Sequence, residues 1–177
     1  PMLTFSLATE ADIAELNGLV NRAYRGDESM QGWTTEAHLL GGQRTDPAAL
    51  RDLLHEPEAV FLLARMAPEG VLVGSVYLQG QGPDLYLGML SVEPRRQDAG
   101  IGKQLLRAAE EHARQLGRAA VRMTVLSARP ELLAWYERHG YARTGEVVPF
   151  PMEDPRLGLP RQPLELLVLR KPVAAAR

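Results

Sequence analysis

The stretch Val92-Glu93-Pro94-Arg95-Arg96-Gln97-Asp98-Ala99-Gly100-Ile101-Gly102-Lys103 constrains this chain more than any other. An apolar run, Leu85 to Val92, reads as a strand and feeds a short basic turn. Two glycines, one residue apart, then open an amphipathic helix that the spacing carries from Gly100 to Leu116, with Gly117 as its stop. The first amides of a helix have no partner inside it and lie at the positive end of its dipole. Without side chains at Gly100 and Gly102, an anion can approach that backbone closely. The turn reads as a seat for a phosphate or diphosphate. The competing reading is a tight turn whose small residues merely start a helix.

Spacing narrows the ligand. A Walker loop requires Gly where Gln97 stands and Ser or Thr after Lys103, where the chain has Gln104. A dinucleotide fingerprint requires a third Gly at the position of Leu105. The pattern that remains, Gln-x-x-Gly-x-Gly, resembles the coenzyme A loop of the GCN5-related N-acetyltransferases (GNAT). A second segment, Leu132-Leu133-Ala134-Trp135-Tyr136-Glu137-Arg138-His139-Gly140-Tyr141, resembles the other signature of that family: a short helix with an aromatic-Tyr pair, then Gly and an aromatic opening the next strand. Taken alone, Leu132, Leu133, Trp135 and Tyr136 also fit a plain buried helix face, with Gly140 as its C-cap. The order and separation of the two segments favour the family. The resemblance covers residues 85–146; beyond them only the order of elements agrees.

The resemblance implies a fold, a reaction and a set of residues. The fold is the acyl-CoA N-acyltransferase one, an α/β architecture with a mixed, mostly antiparallel sheet flanked by helices. The reaction is direct attack of an amine on the thioester of acetyl-CoA, with no covalent enzyme intermediate and no metal. A diphosphate would lie on the turn formed by Arg96, Gln97, Asp98, Ala99, Gly100, Ile101, Gly102 and Lys103. The acyl arm would lie against the backbone of Leu90, Ser91 and Val92, where an amide donor can stabilise charge on the carbonyl oxygen. Tyr136 holds the family position of the acid that protonates the leaving thiolate.

Two positions depart from the family. Some members carry a glutamate base on the central strand, where this chain has Tyr86. Glu146, working through water, is the leading substitute, with Asp84 and Glu28 as alternatives. Relatives often carry Asn just before the second-motif helix, where this chain has Arg129 followed by Pro130. Arg129 is either a new contact to the cofactor or an exposed loop residue. Acceptors in the family bind between the first two helices, the central strands and the last hairpin. That assigns Tyr24, Glu28, Trp33 and Glu36, with the segment Phe150 to Pro160, to the acceptor side. Aromatic walls with carboxylates suit an amine. Small amine, amino acid, antibiotic, protein N-terminus and lysine all remain open, as do a non-catalytic acyl-CoA-binding module and a protein-modifying acyltransferase.

At 177 residues, a single domain over residues 1–177 is expected. The formal charge of −2 gives no reason to expect nucleic acid or an anionic membrane as partner. Without cysteine the chain has neither disulfides nor a thiol nucleophile. No apolar run approaches the ~20 residues of a membrane span, and the first residues do not read as a secretory signal. A cytoplasmic setting follows as an expectation. Strands are expected at Leu3 to Leu7, Ala59 to Met66, Val71 to Leu78, Ala119 to Leu126, Tyr141 to Val148 and Leu164 to Leu169. Helices are expected after Thr9, from Trp33 to Gly41 and after Asp46. Many relatives dimerise, which makes the apolar run Leu164 to Val168 a candidate homodimer interface.

Overall fold

Each expected strand is present in the computed structural model, which describes residues 2–24, 45–149 and 165–174. The strands are β1 (Leu3–Leu7), β2 (Ala59–Met66), β3 (Val71–Gln81), β4 (Asp84–Val92), β5 (Ala120–Leu126), β6 (Ala142–Pro149) and β7 (Glu165–Pro172). They form one sheet in the order β1-β2-β3-β4-β5-β7-β6. Every pair is antiparallel except β4 with β5. The parallel pair requires a crossover, which α3 (Ile101–Gln115) supplies. The other helices among the described residues are α1 (Ile13–Tyr24), α2 (Pro47–Leu54) and α4 (Pro130–Arg138). The expected mixed, mostly antiparallel sheet flanked by helices is the fold observed.

Local signals account for the boundaries. Asp46 caps α2 by accepting the Ala49 amide at 2.7 Å, and Pro47 takes the first helical position. The Thr9 amide donates to Asp12 Oδ2 at 2.8 Å, and a short 3-10 turn over Glu10–Asp12 leads into α1. The helix expected from Trp33 lies outside the described residues.

The sheet separates two cores. On one face, Ile101, Leu105, Leu106, Ala109 and Ala113 of α3 and Leu133 and Tyr136 of α4 pack against Val76, Leu87, Val92, Val121, Met123 and Val125. On the other, Ile13, Leu16, Leu19 and Val20 of α1 and Leu50 of α2 pack against Phe61, Leu63 and Tyr77. Fully burying one such Leu or Ile contributes roughly 1.5–3 kcal/mol. The helices are therefore held to the sheet mainly by these faces. β7 enters between β5 and β6 instead of lying at the sheet edge. Both edges of the Leu164 to Val168 run's strand are thus taken, and the strand edges that face outward belong to β1 and β6.

Candidate active site

β4 and β5 begin as partners and then part. Asp84 pairs with Ala120, Leu85 with Val121 and Tyr86 with Arg122, and the pairing ends there. β4 runs on to Val92 and β5 to Leu126. The cause lies in β4 itself. Its register with β3 shifts between Ser75 and Tyr77, so that Met89 and Leu90 together oppose Val76. Met89 adopts φ +52°, and the Ser91 hydroxyl donates to the Met89 carbonyl at 2.9 Å, which ties the bulge down. A bulge bends and over-twists its strand. β4 therefore swings away from β5 and opens a wedge between Leu87–Val92 and Met123–Leu126.

The turn after Val92 lies at the rim of this wedge. Residues Pro94–Ala99 wind as 3-10 helix, broken at Arg96 (φ −128°). Gly100 then takes the left-handed conformation, φ +75° and ψ 14°, which an L-residue enters only at a cost. The first helical bond of α3 runs from the Gln104 amide to the Gly100 carbonyl at 3.1 Å. The amides of Ile101, Gly102 and Lys103 precede it, so α3 itself gives them no acceptor. A 3-10 turn forms its own i→i+3 bonds. The open amides are thus those of Ile101–Lys103, a shorter stretch than the sequence led us to expect. Ile101 is fully buried and anchors the helix start in the core. Arg95, Arg96 and Lys103 are exposed around it, with no ion pair to a described residue. Glu93 ties the turn to α1 by accepting from Arg22 Nη2 at 2.8 Å. For Gln97 and Asp98 only the backbone is described.

α4 closes the wedge from the same side. A Cβ on Gly102 would lie 3.6 Å from both the Trp135 ring and Val92, so the indole packs directly against the start of α3. The Trp135 ring also stands edge-on to Tyr136 at 5.0 Å and 4.4 Å from His139, whose Nδ1 lies 2.7 Å from the Trp135 carbonyl oxygen. Tyr136 is buried to 5 % exposure, 6.0 Å from the Tyr141 ring. Arg129 is the N-cap residue of α4 and is equally buried; its amide donates to the Leu126 carbonyl at 3.1 Å. The exposed-loop alternative for Arg129 is therefore set aside: the guanidinium side chain is built into the end of β5.

A strand pair prised apart beside the open amides of a helix is a site for a thin ligand carrying phosphates. A family model described as "Acetyltransferase (GNAT) domain" matches residues 27–150, well over half of the chain. This chain is a GNAT acetyltransferase. Members of the family use acetyl-CoA. The fold agrees with solved structures across nearly the whole chain. The ribosomal-protein-S18-alanine N-acetyltransferase from Escherichia coli superposes with a TM-score of 0.73 at 16% identity, covering 99% of this chain and 97% of that one. Ard1 from Thermoplasma volcanium gives 0.69 at 17% identity, covering 97% and 98%. A chimera of the spermidine N-acetyltransferase SpeG from Vibrio cholerae and hSSAT gives 0.66 at 15% identity, covering 97% and 96%. No curated protein sequence matched.

In this acetyltransferase the residues expected at the cofactor, Leu90, Ser91, Val92 and Gly100–Lys103, lie along one rim, with Arg129 at the N-cap of α4 and Tyr136 within α4 next to it. The proposed base does not join them. Glu146 is exposed in a bulge of the edge strand β6, between the pairs Arg143–Leu169 and Val147–Leu167. That is level with Thr124 but two strands from β5, roughly 10 Å at ordinary strand spacing. Asp84 is excluded as a free base: both its oxygens accept from Arg170, at 2.9 and 3.0 Å, across β5. Tyr24 ends α1, and only its backbone is described; Glu28, Trp33, Glu36 and the segment Phe150 to Pro160 lie outside the described residues.

Sequence reasoning missed two features. One is Trp135 as the wall over Gly102; its only sequence signal is the aromatic pair. The other is the seat of Tyr86. Gly88 stands opposite Tyr77, and the Tyr86 ring leans along β4 into the vacant place, within 2.9 Å of where a Gly88 Cβ would be. Tyr77 holds it edge-on at 6.5 Å and packs in turn on Phe61 at 5.1 Å. Burial pushes the Tyr77 phenol up to about 12, with smaller contributions from Glu56 and Tyr86. Among the described residues no cluster of His, Asp or Glu is arranged to hold a metal ion, and no helix is long and apolar enough to cross a membrane.

Proposed function

We propose that this enzyme transfers the acetyl group of acetyl-CoA directly to a primary amine of a small molecule or peptide, in a ternary complex and without an acyl-enzyme. The observation that carries the reading is the parting of β4 from β5 beside the open amides of Ile101–Lys103. Acetyl-CoA supplies an activated carbonyl as its thioester. The amides of Ile101, Gly102 and Lys103 take the diphosphate, and Arg95, Arg96 and Lys103 add charge at the rim. Trp135 shields the start of α3 from water on the α4 side. The wedge lined by Leu90, Ser91 and Val92 takes the acyl arm, and a backbone amide of bulged β4 polarises the carbonyl; one such donor is typically worth ~3 kcal/mol.

The amine nitrogen bonds to the carbonyl carbon as the carbon–sulfur bond breaks. The amine gives up one proton, by way of water, and Tyr136 gives its proton to the leaving sulfur and regains one from solvent. The products are the N-acetylated amine and the free thiol of coenzyme A. Several of the similar structures are named for amine acceptors, among them an alanine of ribosomal protein S18, phosphinothricin and spermidine. This supports an amine as the acceptor here. Incubation with acetyl-CoA and a panel of amines, read by thiol release, tests the proposal. Amine-dependent release is expected. Acetyl-CoA binding with no release for any amine would leave a binding module in its place.

A further inference from the structure

The geometry points to an acceptor whose reacting nitrogen is an α-amine, oriented by the Tyr86 hydroxyl, and not a lysine side chain or a polyamine. This rests on the acetyl-transfer reading above. The argument starts from Gly88. As a residue without Cβ opposite Tyr77, it leaves a gap in an otherwise continuous aromatic row, Phe61 on β2 and Tyr77 on β3. Tyr86 fills the gap by leaning two residues along its own strand. Its hydroxyl comes to 3.1 Å from the position a Gly88 Cβ would take. Tyr86 is also the last β4 residue paired with β5, so the lean carries the phenol past the closed end toward the wedge. The ring is half-buried, on the face covered by α1 and α2, opposite the face that carries α3 and α4. A hydroxyl held in this way accepts an N–H from an amine approaching the carbonyl from the α1 side and leaves the nitrogen lone pair free to react.

What that hydroxyl cannot do is decisive for the substrate. A phenol does not take a proton from an ammonium near neutral pH. The only carboxylate on β4, Asp84, is held by two hydrogen bonds from Arg170 at the closed end. The strand position nearest the chemistry therefore suits a nitrogen that arrives already neutral. At pH 7.5 an α-amine of pKa about 8 is neutral in a few tenths of molecules, whereas an ε-amine of pKa about 10.4 is neutral in about one in a thousand. The α-amine thus starts with an advantage on the order of 200-fold in reactive nucleophile, with no base required from β4.

Two isomers make the test direct. Nε-acetyl-lysinamide and Nα-acetyl-lysinamide contain the same atoms and differ only in which amine is free, and the carboxamide keeps the α-amine near the peptide value of about 8. With an alanyl dipeptide and spermidine beside them, we expect the wild-type enzyme to release thiol with the dipeptide and Nε-acetyl-lysinamide, and at least ~50-fold more slowly with Nα-acetyl-lysinamide and spermidine. Rates should rise with pH and level off near the pKa of the acceptor. Tyr86→Phe should raise the KM for the α-amine about tenfold with acetyl-CoA affinity unchanged and the pH midpoint in place. Gly88→Ala, which pushes the ring from its seat, should do the same. Tyr86→Glu, by adding a base, should raise turnover of the ε-amine at least about tenfold relative to the α-amine.

Equal or better use of the ε-amine or spermidine by wild type overturns the inference. So does no turnover of any α-amine by enzyme that binds acetyl-CoA, or unchanged acceptor KM in both Tyr86→Phe and Gly88→Ala. Failure to bind acetyl-CoA at all would strike the parent reading instead.

Discussion

The two ends of the β4–β5 junction are built from the same pair of strands by opposite means. At the closed end, charge is committed inside the fold. Arg170 reaches across β5 to grip both oxygens of Asp84. Arg118 donates to the Gly82 carbonyl at 2.7 Å and to Glu58 at 3.1 Å. Behind them, buried Glu110 accepts from Lys171 Nζ at 3.0 Å and from the Tyr141 hydroxyl at 2.9 Å. At the open end the shape comes from backbone: a bulge at Met89, a broken 3-10 turn and a left-handed Gly100. There Arg95, Arg96 and Lys103 stand exposed with no ion pair to a described residue. Strands locked at one end by side chains can part at the other without losing register. Charge used up at the closed end serves stability, and charge left over at the open end is what the proposed cofactor site requires.

The strongest way to break this comparison is to alter the open end in a manner that helps the fold. α3 carries no acid in its first turn. Gly102→Asp places one there, where a carboxylate complements the dipole by roughly 0.3–1 kcal/mol. Its Cβ meets Trp135 and Val92 only at the ordinary 3.6 Å. The melting temperature should hold or rise while affinity for coenzyme A, by calorimetry, falls at least ~100-fold, because the carboxylate occupies the amides and repels the diphosphate. Loss of both together would show that the two functions are not separate. Next in size is Tyr136→Phe. It should lower kcat about 100-fold with the KM for acetyl-CoA little changed. Full turnover would remove Tyr136 from the role of acid.

The open end was largely legible in the sequence because its determinants are local. Gly100, Gly102 and the strand before them lie within about twenty consecutive residues, and a left-handed glycine before a helix announces itself. The closed end was not. Asp84 reads from sequence as a spare carboxylate near the cleft. Its partner is 86 residues away, and only the sheet order, with β5 beside β4 and β7 next beyond it, brings the two together. Arg129 reads equally as surface or site until the end of β5 is seen to enclose it. Tyr86 stands out in the sequence only for what it lacks as a base. Its seat depends on Gly88 facing Tyr77 across the strand, a register that no spacing in one segment reveals. Strand membership was readable from β-rich runs. The place of β7 inside the sheet was not, since a hairpin's sequence does not say which of its strands joins the rest.

At the closed end, Tyr141→Phe should cost about 2 kcal/mol of stability, since it removes a buried hydrogen bond to the charged Glu110. Affinity for coenzyme A should not move. A titration sharpens the same point. Burial, and after it Glu110, raises the Tyr141 phenol, and burial holds Tyr77 up to about 12. An unfolded chain loses these protons from about pH 10, whereas the folded chain keeps them. The stability they contribute is complete below about pH 10 and is lost as pH rises above it. Urea midpoints from pH 9 to pH 11 should therefore fall less in Tyr77→Phe than in wild type, by about the contribution of one proton. Parallel curves would mean that the Tyr77 hydroxyl is more hydrated than its burial indicates.

The smallest effect is expected at Gly80, beside the closed end. The Arg118 guanidinium lies across this glycine: a Cβ there would come within 2.7 Å of Arg118 Cζ and 3.1 Å of Glu58 Oε2. Gly80→Ala must push the guanidinium aside. The long side chain can yield, and the pair it forms with the largely exposed Glu58 is worth little. The hydrogen bond to the Gly82 carbonyl is the real loss, about 1 kcal/mol, or a few degrees in melting temperature for a chain of this size. Coenzyme A affinity and turnover should match wild type, because Gly80 pairs with Leu85 at the far end of β4 from the bulge. A change in affinity of tenfold or more would mean that a disturbance at the closed end reaches Met89 through β4, and that the lock sets the width of the wedge instead of only permitting it.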